Sequence, residues 1–278
     1  MLTPTAEIMA AAVAAGRGVG AFNVIQLEHA EGLTTGAELA HAPVILQISQ
    51  NAVRYHGGAL DPIGLATLAV ARASSAQVAV HLDHADDVAL VHRAVELGFG
   101  SVMFDASTLP YEQNVAATAE IAKHCHERGV FVEAELGEVG GKDGVHAPGA
   151  RTVPAEAVAF VAATGVDALA VAVGSSHAML TRDAVLDLEL IAKLRAAVPV
   201  PLVLHGSSGV PDELLTAAVE AGMTKINIAT HLNKAFTGAV REYLTENPKV
   251  VDTRKYLAPG RDAVATESAR LLGVLRAS

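Results

Sequence analysis

At 278 residues the chain is far longer than a minimal domain and close to the typical length of one α/β barrel, roughly 250 residues. A net charge of −10 argues against nucleic acid or an anionic membrane surface as the main partner, and still allows a small phosphorylated substrate held at a local site. Hydrophobic residues make up 51% of the chain, aromatics only 4%, and Trp is absent, so the core has to be built from small and branched aliphatics, which suits buried parallel strands.

The first segment, MLTPTAEIMAAAVAAGRG, reads as an amphipathic helix and lacks the basic region of a signal peptide. Apolar runs then alternate with helical patterns. Strands are expected near Gly20–Val24, Val44–Ser49, Val78–Leu82, Ser101–Phe104, Phe131–Leu136, Ala168–Val173, Leu202–His205 and Thr224–Ile228. Helical segments between them include Asp86–Leu97, Tyr111–Arg128, Pro154–Ala163, Leu188–Ala197, Pro211–Ala221 and His231–Leu244. Several end at a Gly that announces the next strand, as in LGFGSVMF, ERGVFVEAE, ATGVDALAV and AGMTKINI. Eight strand–helix units predict a closed (β/α)8 TIM barrel. An open doubly wound sheet is disfavoured because no G-x-G-x-x-G follows the first strand. The whole of 1–278 reads as one barrel domain with a C-terminal helical extension from about residue 247. Two stretches read as irregular. Gly137–Val153 is Gly-rich and reads as a lid over the barrel mouth, and Asn247–Gly260 separates the barrel from a final helix.

No uncharged run is long enough to span a bilayer. The single cysteine, Cys125, cannot form an internal disulfide, so the expected setting is reducing and cytoplasmic. Cys125 itself reads as a helix residue rather than a nucleophile.

Polar residues gather at the C-terminal strand ends, where a barrel keeps its active site. Asp83 and His84 end the third strand, Asp105 the fourth, Glu133 and Glu135 the fifth, His205 the seventh and Asn227 the eighth, while His177 follows the sixth. A lone His after a strand is usually a satisfied polar residue. Three in one ring with acidic neighbours describe a catalytic zinc site with an open position. Glu133 and Glu135, spaced by two, point to one face. With Asp105 they make either a salt-bridged network, or a second cation position or set of groups orienting the histidines. His81 reads as a buried supporting group. His29, His41, His92, His124, His126 and His231 read as solvated, and His56 and His146 as loop residues. The loops HGSSGVPDEL and NIATHLNKAF follow strands seven and eight, where barrels often bind phosphate. Gly206, Ser207, Ser208 and Gly209 offer amides and hydroxyls there, and Thr230 opens a helix.

The motifs FNVIQLE, QIS, LDHADD, FDAS, VEAELG-x-VGG, AVAVGSSH, LHGSSG and KINIAT occur in an order that resembles the class II aldolases, zinc-dependent enzymes that cleave fructose 1,6-bisphosphate or tagatose 1,6-bisphosphate. The resemblance spans nearly the whole chain. It implies a barrel, a catalytic Zn2+ held by His84, His177 and His205, and dihydroxyacetone phosphate as one product. It implies that Asp83 is the general acid/base and that Asp105 and Glu135 stand at a second, divalent or monovalent, cation position. It gives Gly206, Ser207, Ser208, Asn227 and Thr230 the dihydroxyacetone phosphate, and Ser49 the phosphate on the aldehyde side. Family members are usually dimers or tetramers, so a homodimer or homotetramer is expected. Departures fall in one loop and beside two ligands, the milder being LHGSSG where the family has LHGGSG or LHGASG. The family's acidic loop residue is replaced by Lys142, Asp143 and Gly144, which makes Asp143, or else Glu138, the candidate loop acid. Ala178 stands where a Gly commonly follows the second ligand His.

The function expected is therefore metal-dependent retro-aldol cleavage of a ketose bisphosphate, with Asp83 moving the C4 hydroxyl proton and Asn227 hydrogen-bonding the charge that develops. Fructose 1,6-bisphosphate is the first expectation for substrate, and tagatose 1,6-bisphosphate or another ketose phosphate the alternative. Two rivals stand beside it. Lys225, two residues before Asn227, would serve a Schiff-base aldolase, and a metal-containing barrel would bind sugar phosphates without cleaving them. Arg254 and Lys255 read as a solvated basic turn or as phosphate contacts.

Overall fold

The computed structural model describes residues 1–136, 151–177 and 179–276. Helix α1 (Thr5–Ala15) comes first. The strands are β1 (Val19–Asn23), β2 (Val44–Ser49), β3 (Val78–Ala85), β4 (Ser101–Phe104), β5 (Phe131–Glu135), β6 (Ala168–Ala170), β7 (Leu202–Leu204) and β8 (Met223–Ile228). All pair in parallel, each with its neighbour in sequence, and β8 returns to β1 with Ala21 opposite Asn227. This is a closed (β/α)8 barrel. Helix α2 (Leu27–Ala40) follows β1, and α3 (Gln50–Tyr55) and α4 (Leu60–Ala73) follow β2. Next come α5 (Val88–Leu97), α6 (Tyr111–His126), α7 (Pro154–Thr164), α8 (Leu188–Ala197), α9 (Asp212–Ala221), α10 (Thr230–Glu246) and α11 (Thr253–Val274). Among the described residues no helix is long and apolar enough to cross a membrane.

The lumen is layered, and the layering follows from period-two alternation. Ala21, Ile45 and Ala79 lie level with one another in the strand register and form an apolar floor, closed from below by Ile8, Met9 and Ala12 of α1. Ala168, Ala170 and Val203 continue that floor. Two residues further along each strand the lumen turns polar: Asn23, Gln47 and His81 share one level and Ser49 and Asp83 the next. Leu82, Phe104, Val132 and Ile226 face outward into the core between strands and helices. Lys225 and Glu133 stand level with Val203 and Ala168 of that floor, so the polar groups begin there, fully buried, and continue up to the C-terminal mouth.

Most element boundaries fall within a residue or two of expectation, and the differences have causes. The glycines read as helix ends, Gly98, Gly129, Gly165 and Gly222, all have positive φ. Strand β6 stops at Ala170, three residues short of Val173, because Ala172 bonds Thr152 instead of the neighbouring strand. The irregular stretch expected over Asn247–Gly260 ends at Asp252. Asp252 caps α11, which runs through Pro259. The carbonyl that Pro259 cannot satisfy belongs to exposed Lys255, so the proline is tolerated there. Gly260 is required, since a side chain there would meet Phe236 at 2.8 Å.

Candidate active site

Asp83 points into the lumen by alternation, which should send His84 outward. It does not. His84 has φ of +49°, in the left-handed region, at a register shift between Leu82 and Ala85 against β4. A non-glycine residue held there costs about 1–3 kcal/mol, and such strain gathers at functional sites. The kink turns His84 inward beside Asp83, so two consecutive residues serve one site.

His84 meets His177, from the loop after β6, and His205, which follows β7. One ring nitrogen of each lies within 4.8 Å of the others. The ring centroids of His84 stand 4.5 Å from His205 and 5.2 Å from His177. Carboxylates set the ring orientations. Nδ1 of His84 donates to Asp105 at 2.9 Å, and Nε2 of His205 donates to Glu133 at 2.9 Å. With those protons assigned, Nε2 of His84 and Nδ1 of His205 face each other at 2.8 Å as two lone pairs. Burial first, then the His84 ring and the Lys225 cation, hold the His205 pKa well below its usual 6.5, so this ring stays neutral near pH 7. Facing lone pairs in a dry site call for a cation between them. The residues present therefore fit a divalent metal ion such as Zn2+, with carboxylates orienting two of the three imidazoles.

The open choice among the carboxylates resolves differently for each. Glu133 is part of an ion-paired network: it takes His205 on one oxygen and the Lys225 ammonium, 2.8 Å away, on the other. Glu135 and Asp105 instead bring oxygens within 4.8 Å of a His84 nitrogen, a second possible cation position. Ser107 donates to Asp105 and helps to hold it. His81 is buried as expected and bonds Ser101 at 2.8 Å.

Asp83 is buried, with Oδ1 3.9 Å from Nε2 of His84. Asn23 donates to it at 3.3 Å, Gln47 donates to Asn23 at 2.7 Å, and Asn227 donates to it at 3.5 Å. Asn23 and Gln47 are supporting residues that sequence reasoning missed. The available signal was that Asn23 is polar at the end of β1, as the known candidates are at the ends of theirs. Asn227 also approaches Nε2 of His205 at 3.2 Å and accepts from Lys225 at 2.9 Å. Lys225 is therefore clamped as an ammonium between two acceptors, which is a poor start for an imine.

The phosphate candidates assemble around a short 3-10 turn, Ser207–Gly209, entered through Gly206 at φ +66°. The Ser207 hydroxyl donates to the carbonyl of Leu204. The Ser208 hydroxyl accepts the N–H groups of Ala229 and His231 and so caps α10 from the neighbouring loop. Thr230 opens α10, a helix of 17 residues whose N-terminal dipole favours an anion at this point. Ser49, the register partner of Asp83 on the neighbouring strand, accepts from the amide of Ala52 as the cap of α3, which leaves its hydroxyl hydrogen to donate.

Asp143, Glu138, His146 and Ala178 lie outside the described residues. Arg254 and Lys255 are exposed at the start of α11, where Arg254 bonds Asp252. His56 bonds the carbonyl of Ile25 at 2.7 Å. His29, expected to be solvated, is instead buried and stacked on Phe236 at 4.9 Å, because α10 packs over the first turn of α2. Cys125 is buried, and desolvation raises its thiol pKa to about 11, which makes it inert.

Residues 3–278 match the family described as fructose-bisphosphate aldolase class-II. The chain is 41% identical to a fructose-bisphosphate aldolase of Geobacillus stearothermophilus over 261 residues, 93% of this chain and 90% of that one. It is 40% identical to a fructose-bisphosphate aldolase of Thermus caldophilus, covering 95% and 94% of the two chains. The solved structure of the YdjI aldolase from Escherichia coli K12 superposes with a TM-score of 0.85 at 30% identity, over 100% of this chain and 98% of that one.

Proposed function

The chain belongs to the class II fructose-bisphosphate aldolase family, and from that premise we propose how its own residues divide the work of carbon–carbon cleavage. It is an aldehyde-lyase, and the reaction is the reversible cleavage of fructose 1,6-bisphosphate to dihydroxyacetone phosphate and glyceraldehyde 3-phosphate. The alternatives of another ketose phosphate or of a barrel that only binds sugar phosphates are not favoured by this kinship.

A Zn2+ held by His84, His177 and His205 would supply Lewis acidity toward the ketose carbonyl. Asp105 and Glu133 keep two of the ligand rings aimed, each accepting one ring N–H so that the other ring nitrogen faces the metal position. Asp83 takes the proton of the C4 hydroxyl as the C3–C4 bond breaks, and returns it in the condensation direction. The side-chain N–H of Asn227 hydrogen-bonds the dihydroxyacetone half where negative charge develops. Lys225 fixes the orientation of that amide by donating to its oxygen. Gly206, Ser207, Ser208 and Thr230 hold the phosphate of the dihydroxyacetone half, and Ser49 holds the other. Asp105 and Glu135, beside His84, offer carboxylate oxygens for a second cation position. Asp143 serves as the loop acid. A homodimer or homotetramer in a reducing cytoplasm completes the reading.

The observation that carries it is the pair of carboxylate-backed imidazoles facing each other at 2.8 Å, with the Asp83 carboxylate 3.9 Å from one of them. The test is Asp83→Ala. Cleavage of fructose 1,6-bisphosphate should fall by about 10²–10⁴, the usual worth of general acid–base catalysis, while bound zinc, measured by elemental analysis, stays at the wild-type level. A variant that still cleaves at near the wild-type rate removes Asp83 from the mechanism.

A further inference from the structure

The loop carrying His177 and the turn assigned to the phosphate are interlocked. A methyl group on Gly206 would lie 2.6 Å from the carbonyl carbon of Ser176, and one on Gly209 would lie 2.6 Å from Cβ of Met179. Only bare backbone on the turn permits this approach. Two consecutive carbonyls at the end of the turn are then tied across to the His177 loop. Ala184 donates its amide to Gly209 O at 3.0 Å. Arg182 places both Nε, at 3.0 Å, and a terminal nitrogen, at 2.5 Å, on Val210 O. The same terminal nitrogen pairs with Asp212 at 2.6 Å in the first turn of α9.

The chain of charges continues. Asp212 is shared with Arg270 of α11, which pairs with Glu267, and Glu267 meets His231 in the first turn of α10. The amide of His231 is one of the two that Ser208 caps. A single network of side chains thus borders the phosphate turn on two sides, and Arg182 is the member that grips its backbone.

Resting on the aldolase reading above, we propose that Arg182 is a positioning residue: its guanidinium fork, oriented by Asp212, holds the Ser207–Gly209 turn in the shape that binds the substrate phosphate. Arg182 does not meet the phosphate itself. Nε and one terminal nitrogen are directed at Val210 O and Asp212, and this fork geometry is one that a lysine ammonium cannot reproduce. Loss of the grip leaves the turn free to sample other conformations, and the phosphate must then restore the binding shape each time it binds.

The experiment compares zinc-loaded wild type with Arg182→Gln, Arg182→Lys and Asp212→Asn. Three quantities are read: KM and kcat for fructose 1,6-bisphosphate, the dissociation constant of dihydroxyacetone phosphate by calorimetry, and zinc content by elemental analysis. Arg182→Gln should raise KM and the dissociation constant together by about tenfold, the scale of one lost charge-assisted bond, with kcat little changed and zinc retained. Arg182→Lys should recover only part of this, and Asp212→Asn should shift both constants in the same direction by less. An unchanged dissociation constant in Arg182→Gln overturns the proposal. So does a loss confined to Arg182→Gln with Asp212→Asn at wild type, which would put the guanidinium on the phosphate directly. Loss of zinc would place its effect on the metal loop instead and would also overturn it. Should Arg182→Gln fail to fold, the lysine and Asp212 variants decide by the same readings. If wild type binds dihydroxyacetone phosphate but cleaves no fructose 1,6-bisphosphate, the aldolase reading fails while the binding arm still tests the grip.

Discussion

Removing the Lys225 charge perturbs the buried lumen without touching the three histidines. Lys225 is 1% exposed and Glu133 is fully buried. The ammonium lies 2.8 Å from Glu133 and 2.9 Å from the Asn227 oxygen. In Lys225→Met the packing volume is nearly kept, but Glu133 becomes a buried carboxylate without its cation. Breaking a buried pair from one side costs about 3–5 kcal/mol. Unfolding entropy near the melting point is roughly 2.1 cal/mol/K per residue, which for this chain is about 0.58 kcal/mol/K. The expected drop in Tm is therefore about 5–9 °C, read by differential scanning calorimetry at one scan rate for all variants. The double variant Lys225→Met with Glu133→Gln should recover most of the loss, because it removes the stranded charge and keeps an acceptor for Nε2 of His205. If the single variant melts within a degree or two of wild type, or the double variant is worse than the single, the buried pair is not what holds this part of the lumen.

A chelator should abolish cleavage and added Zn2+ should restore it, whereas borohydride with dihydroxyacetone phosphate should leave no added mass on Lys225; a trapped adduct would reinstate the imine mechanism. Stability should depend on pH through His29. Burial lowers its pKa below 6.5, so the unfolded chain binds a proton that the folded chain refuses, and stability is lost as pH falls below 6.5. His29→Phe should flatten that slope by up to about 1.4 kcal/mol per pH unit in denaturant titrations, and an unchanged slope would show that His29 titrates normally. Asp143→Ala should slow proton exchange at the methylene of dihydroxyacetone phosphate, followed by NMR, more than it weakens zinc binding; if Glu138→Ala has that effect instead, the loop acid is Glu138.

Much of this protein is legible along the chain because a (β/α)8 barrel repeats one local rule. Val, Ile, Leu and Ala runs ending in polar residues, followed by helices that close on Gly98, Gly165 or Gly222, are short-range patterns, and they suffice for eight parallel strands and a C-terminal site. Strand alternation alone puts Asp83, Glu133, Glu135, Lys225 and Asn227 on the inner face. What alternation cannot express is a break in itself. His84 should face outward by its position, and only the left-handed backbone at the β3 bulge turns it inward, a conformation that no neighbouring glycine announces. Nor can one strand say which carboxylate meets which partner. Glu133 and Glu135 are equivalent in spacing, yet Lys225 on β8 makes one an ion-pair member, while the other lies near Asp105, just past β4, and His84 at a possible cation position. His29 and Pro259 failed for the same reason. The burial of the first depends on α10 arriving overhead, and the tolerance of the second depends on an exposed carbonyl one turn back. Periodicity is a property of neighbours in sequence, so it determined the barrel and the end at which the chemistry lies. Pairing, burial and backbone strain belong to neighbours in space, and only the closed barrel decided which atoms face one another across the mouth.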